Sequence, residues 1–139
     1  MGRQLRVLDF DLECLPGHWI GGDYVSKIIT AGAYSWLSGP DASDEVFFFV
    51  HHDYKSRVIV GDIATEIMSA DFVTGHYIRG FDLPLLNGGL LAAGFPPLGD
   101  VMTIDTKLDL KKVHGRSQSQ ENLASQLGIE TPKVRVSLP

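Results

Sequence analysis

Cysteine is almost missing from this sequence: Cys14 is the single one in 139 residues. That excludes an internal disulfide framework and a four-cysteine zinc site, and it is compatible with a reducing compartment. Cys14 is most simply a small core residue. Long apolar runs are lacking as well. None approaches the roughly 18 residues of a membrane-spanning helix, the N-terminus has no apolar stretch of the signal-peptide kind, and residue 6 is not the Ser or Thr of a myristoylation signal. A soluble, cytoplasmic protein with no membrane partner is expected. Positive charge is in deficit, with 12 Lys and Arg against 17 Asp and Glu. Nucleic acid would therefore have to be met through local basic residues or through metal ions bound by the acids. Repeats, low-complexity segments and Pro/Gly/Ser-rich linkers are absent too. With 44% hydrophobic and 21% charged residues, residues 1–139 are expected to form a single domain around one core.

What is present is a succession of strand and helix patterns. Strand signals cover 5–13, 27–37 and 45–52, with "SGPDASDE" as the turn between the last two, which suggests an antiparallel meander. The period then changes: Ile59, Ile63, Ile67 and Ala70 recur at three or four, as an amphipathic helix requires. "DFVTGHY" follows as a short strand. "DLPLLNGGLLAAG" is helical, with Asp82 as N-cap, Pro84 in the first turn and Gly94 at the stop. "DVMTIDT" is a fifth strand. "SQSQENLASQLG" offers Ser117 or Ser119 as cap, Leu123 and Leu127 as a buried pair, and Gly128 as the stop. The order β-β-β-α-β-α-β-α predicts an α/β domain. Its strands at 5–13, 73–76 and 101–105 should run parallel in the centre, beside the meander.

Two motifs carry chemistry. In "RVLDFDLECLPG" the acids Asp9, Asp11 and Glu13 occupy every second position of an apolar strand. Residues two apart share a face and their Cα atoms lie roughly 6.6 Å apart, so Asp11 and Glu13 converge while Leu12 packs the other way. Ionised carboxylates beside a core are tolerated when paired or metal-bound, and hard oxygen donors suit Mg²⁺ or Mn²⁺ better than zinc. A solvated strand end, salt-bridged to Arg6 or Arg79, would present the same pattern. The second motif, "VTGHYIRGFDLPLL" at 73–86, is a strand ending in Gly75-His76, a turn containing Gly80, and Phe81-Asp82 entering a helix. Ligands of open α/β sheets bind at such strand ends. Taken singly, Asp82 is equally a helix cap and His76 equally a hydrogen-bonded structural residue.

Together, "FDLE" at 10–13 and "GHYIRGFDLPLL" at 75–86 resemble the first two motifs of the DEDD 3′–5′ exonucleases, which have a ribonuclease H-like fold. The likeness is greatest to the proofreading domain of family B DNA polymerases and its stand-alone bacterial and phage relatives. It extends to "IDTKLDL" at 104–110 and to "SQSQENLASQLGIETPK". The resemblance implies a mixed five-stranded sheet flanked by helices, and two Mg²⁺ or Mn²⁺ ions held by Asp11, Glu13 and Asp82 as catalytic residues. It implies hydrolysis at single-stranded DNA 3′ ends to nucleoside 5′-monophosphates. Leu12, His76 and Phe81 near the acids, and Lys107, Lys111, Lys112 and Arg116 as a basic stretch, are the candidates for contacting nucleic acid. A bacterial or phage source is expected on the same ground.

Two departures stand out. Tyr77 occupies a position where the family usually has Asn. The third family motif, a Tyr or His about one helical turn before a last metal-binding Asp, has no counterpart, because no Asp follows Asp109. The resemblance thus implies an exonuclease domain truncated before that motif, or a degenerate relative. A non-catalytic nucleic-acid-binding module, another ribonuclease H-like nuclease such as a junction resolvase, and a purely structural subunit are the alternatives.

Overall fold

The structure, a computed structural model, describes residues 2–14, 29–50, 57–116 and 119–128, with the backbone alone at 49, 57–59, 114 and 121. Five strands form one mixed sheet: β1 (Val7–Cys14), β2 (Ile29–Ser38), β3 (Phe47–Val50), β4 (Phe72–Gly75) and β5 (Thr103–Asp105). Their spatial order is β3-β2-β1-β4-β5. The first three make the antiparallel meander expected from their short links, while β4 runs parallel to β1 and β5 parallel to β4. One placement differs from expectation. β1 is central, but β5 lies at the sheet edge rather than in the middle. A three-residue strand has few ladder bonds to offer a second neighbour.

Alternation along β1 decides the layers. Leu8, Phe10 and Leu12 point into the core, where they meet Trp36 of β2 and Val73 of β4. The same core receives Ile63 and Ile67 from helix α1 (Arg57–Ser69) and Leu85, Leu86 and Leu90 from helix α2 (Leu83–Ala92). Burying each of these aliphatic side chains is worth about 1.5–3 kcal/mol. Asp9, Asp11 and Glu13 therefore fall on the opposite face, because successive side chains on a strand alternate. Of the α1 stripe, Ile63 and Ile67 are buried and Ala70 packs against the core. The side chain of Ile59 lies outside the described residues.

Helix α2 starts differently from the sequence reading. Asp82 is not its N-cap: the residue is helical (φ −63°, ψ −46°) and its side chain makes no capping bond. A π-helical turn, Ile78–Asp82, runs straight into α2 and removes the need for a cap there. The stop is as expected, with Gly94 at φ +81° and the Phe95 amide reaching back to the Leu90 carbonyl, the 6→1 bond of a Schellman ending. A short helix α3 (Leu108–His114) follows β5; seven residues are too few for its periodicity to stand out. Helix α4 (Gln120–Gln126) is capped by Ser119, whose hydroxyl accepts from the Asn122 amide; Ser117 lies outside the described residues. The expected buried pair is not buried: Leu123 is half-buried and Leu127, beyond the end of the helix, is 74% exposed. Among the described residues no helix is long and apolar enough to cross a membrane.

Asp105, fully buried at the end of β5, ties these parts together. Its carboxylate accepts from the amides of Tyr77, Arg79, Lys107 and Leu108 at 2.9–3.0 Å. Burial pushes its pKa upward, but the four amides outweigh it and hold the carboxyl below the ordinary carboxylate range. Arg79 adds an exposed clamp, bonded to Asp109 and to the Thr103 hydroxyl and carbonyl. Asp105→Ala would strand four part-buried amide donors, and it should lower stability by about 3 kcal/mol in urea denaturation. Because the folded pKa is depressed, the contribution of Asp105 is present above the unfolded carboxylate pKa and is lost as pH falls through the folded one. The wild-type advantage over Asp105→Asn should therefore shrink on acidification.

Candidate active site

The site is built where β1 outlasts its parallel neighbour. The β1–β4 register ends at Asp9 opposite Thr74, and the chain leaves β4 at Gly75. Beyond that point the open side of β1 has no strand to pair with, so the Leu12 amide needs another acceptor. Asp82 supplies it, with the Leu12 amide donating to Asp82 Oδ2 at 2.8 Å. The turn that brings Asp82 there is tight. A Cβ on Gly75 would collide with the Ile78 side chain and sit 2.9 Å from the Phe10 carbonyl oxygen. Tyr77 takes the left-handed conformation at φ +63°, unusual for a residue with a large side chain.

This arrangement carries Asp11, Glu13 and Asp82 to one cleft of about 210 Å³, lined also by Leu12, His76, Tyr77, Phe81 and Gln120. Asp11 and Glu13 are exposed at the strand end, whereas Asp82 is only 2% exposed. Burial is the main reason that the Asp82 carboxyl is pushed up to about 7; the negative charges of Asp11 and Glu13 add to it, while the bond from the Leu12 amide opposes it. Asp9, one step back on the same strand face, accepts a 2.7 Å bond from the Thr74 hydroxyl. Burial raises its pKa too, against the pull of that bond.

The other sequence candidates are distributed unevenly. His76 lines the cleft with Nδ1 2.8 Å from the Thr106 hydroxyl, which ties the end of β4 to the turn after β5. Phe81 lines it while packing against the core. Leu12 contributes backbone only, because its side chain is buried in the core and cannot stack on a base. Lys107 reaches the rim through Tyr77, its Nζ 4.2 Å from the ring centroid. Lys111, Lys112 and Arg116 are exposed on or just after α3 and are not among the lining residues. The arginines proposed as salt-bridge partners of the acids are engaged with others, Arg6 with Asp41 and Arg79 with Asp109. Sequence reasoning assigned no role to Asp105 or Gln120 and treated Tyr77 only as a departure. An Asp two and three residues ahead of helical amides was the available signal for Asp105.

A divalent cation is compatible with this donor set. The cleft offers carboxylate oxygens, and Asp82 is held near neutrality by its surroundings, a condition that a nearby cation would relieve. As placed, no three His, Cys, Asp or Glu side chains among the described residues stand close enough together to hold an ion. Asp11 and Glu13, both exposed, would have to turn toward Asp82.

The architecture is that of an α/β domain with a mixed sheet of ribonuclease H-like order. No family model matches the chain, and no curated protein matches its sequence. Among solved structures it is similar to the family B DNA polymerase of the hyperthermophilic archaeon Pyrobaculum calidifontis, with a TM-score of 0.70 and 18% identity. The match covers 97% of this chain and 20% of the polymerase chain. At that identity the likeness is one of fold.

The raised pKa of Asp82 has a definite sign in stability. Its contribution is present below the unfolded value near 3.9 and is lost as pH rises toward about 7. Relative to Asp82→Asn, which keeps an oxygen acceptor for Leu12, the wild type should lose stability between pH 4 and 7 and then level off. Paired thermal melts across that range test this; a flat difference would remove Asp82 as a carboxyl held protonated by its site.

Proposed function

We propose that this chain is a metal-dependent 3′–5′ exonuclease module that acts on single-stranded DNA ends and releases nucleoside 5′-monophosphates. The observation that carries the reading is that Asp11, Glu13 and Asp82 line one cleft, although Asp82 comes from a different element about seventy residues on. The likeness of "FDLE" and "GHYIRGFDLPLL" to proofreading exonuclease motifs supports it, as does a fold shared with a DNA polymerase. In this reading Asp11 and Glu13, turned toward Asp82, would hold Mg²⁺ or Mn²⁺ together with it, and the metal would supply Lewis acidity and an activated water. Asp82, anchored by Leu12, fixes the position of the site against β1. Phe81 and His76 form the wall beside the scissile end. Exposed Lys111 and Arg116 extend the path for phosphates away from the cleft.

A second reading has an observation of its own. As placed, no three His, Cys, Asp or Glu side chains among the described residues stand close enough together to hold an ion, which favours binding of nucleic acid without efficient cleavage. A misplacement of about 1 Å among the groups of such a site can lower the rate about a hundredfold. The 139-residue chain is therefore expected to bind a 3′-ended oligonucleotide but to hydrolyse it slowly.

Mn²⁺ should raise the melting temperature of the wild type, because an ion that binds only the native state stabilises it, and it should do so far less in Asp11→Ala or Asp82→Ala. Slow mononucleotide release from labelled 3′ ends should require Mn²⁺ or Mg²⁺ and vanish in both variants. Release that survives both substitutions would remove the acids from the chemistry. Binding without any metal-dependent release would leave the binding module as the function.

A further inference from the structure

We infer that Tyr77, with Lys107 resting on its ring, is the element that receives the terminal nucleotide at the mouth of the acidic cleft; this rests on the exonuclease reading above. Tyr77 is the single non-glycine residue with positive φ among the described residues. An aromatic residue is poorly suited to that conformation, which Asn and Gly adopt with less strain, and strain of this kind gathers at binding sites. The strain is locked in from behind: one buried carboxylate, Asp105, holds the Tyr77 and Lys107 amides through the same oxygen, at 2.9 and 3.0 Å. The two side chains are thus positioned together rather than independently.

Space has been made for the ring. A Cβ on Gly80 would collide with the Tyr77 ring, so the turn accommodates an aromatic group that a smaller side chain would not need. Tyr77 is 38% exposed and lines the same cleft as Asp11, Glu13 and Asp82. Lys107 Nζ lies 4.2 Å from its centroid, a cation held against a π-face beside a cleft of three carboxylates. A single-stranded end offers matching chemistry: a phosphate to draw the ammonium off the ring, and a base with a π-face to stack on the phenol in its place. Base–aromatic stacking tolerates any base, so the element favours unpaired ends over particular sequences. Tyr77 and Lys107 contact the substrate directly and bind it, while the acids carry the chemistry.

The test is fluorescence anisotropy of a labelled single-stranded DNA oligonucleotide in Ca²⁺, with thermal melts of the same proteins. Tyr77→Asn should weaken binding about tenfold or more while its melting temperature stays within a few degrees of wild type or rises, since Asn suits the left-handed turn. Tyr77→Phe should bind within about twofold of wild type. Lys107→Ala should reduce the dependence of log K on log salt by about 0.7, the signature of one lost phosphate contact to a single strand. A purely structural Tyr77 would reverse the pattern, with Tyr77→Asn destabilised and its affinity unchanged, and that outcome overturns the inference alone. Failure of the wild type to bind the oligonucleotide would overturn it together with the exonuclease reading, whereas Mn²⁺-dependent cleavage with full affinity in Tyr77→Asn overturns only the role of the ring.

Discussion

The hydrogen bond from the Leu12 amide to the Asp82 carboxylate joins the two halves of the site across seventy residues of sequence. It exists because β4 stops at Gly75 while β1 continues to Cys14. A strand end without its neighbour must have its amide satisfied, and a carboxylate that does so is drawn out of water. Burial then raises its pKa, and the acids projecting from the far face of β1 raise it further. Local backbone need, desolvation and like charge thus meet at one atom pair, in the place where a cation would relieve the last two.

Asp105 is the complementary case. It is as buried as Asp82, yet it is held below its ordinary pKa because four backbone amides converge on it. One carboxylate is ordered to stay ionised and to hold a turn and a helix start; the other, with a single strand amide and two acidic neighbours, is left near its titration point. The contrast distinguishes scaffold from candidate chemistry better than residue type does, since both are Asp at strand-to-helix junctions. It also explains how the unusual backbone at Tyr77 persists: the amides on either side of the turn are fixed to the same carboxylate.

The five strands, the two long helices and the acidic stripe were legible in the sequence because each depends on a short-range period. Leu8, Phe10 and Leu12 alternate with Asp9, Asp11 and Glu13, and that alternation alone assigns the two faces of β1. Asp82 was singled out by motif but its local role was misjudged, since a cap and a strand-end acceptor call for the same residue type. The edge position of β5, the exposure of Leu127 and helix α3 escaped for related reasons. Three- to seven-residue elements carry too little periodicity, and their burial depends on what lies above them.

By itself the sequence determined which side chains share a strand face, where the glycines permit sharp turns, and that three carboxylates stand near strand ends, all of which follow from backbone geometry over a few residues. Only the tertiary structure decided that Asp82 bonds to Leu12, that Asp105 gathers four amides, that Leu12 is lost to the core as a stacking surface, and that Tyr77 and Lys107 meet at the rim. Those outcomes depend on where β4 ends relative to β1 and on how the π-helical turn packs against β5. They are long-range consequences of register and burial, to which no local pattern in the chain corresponds.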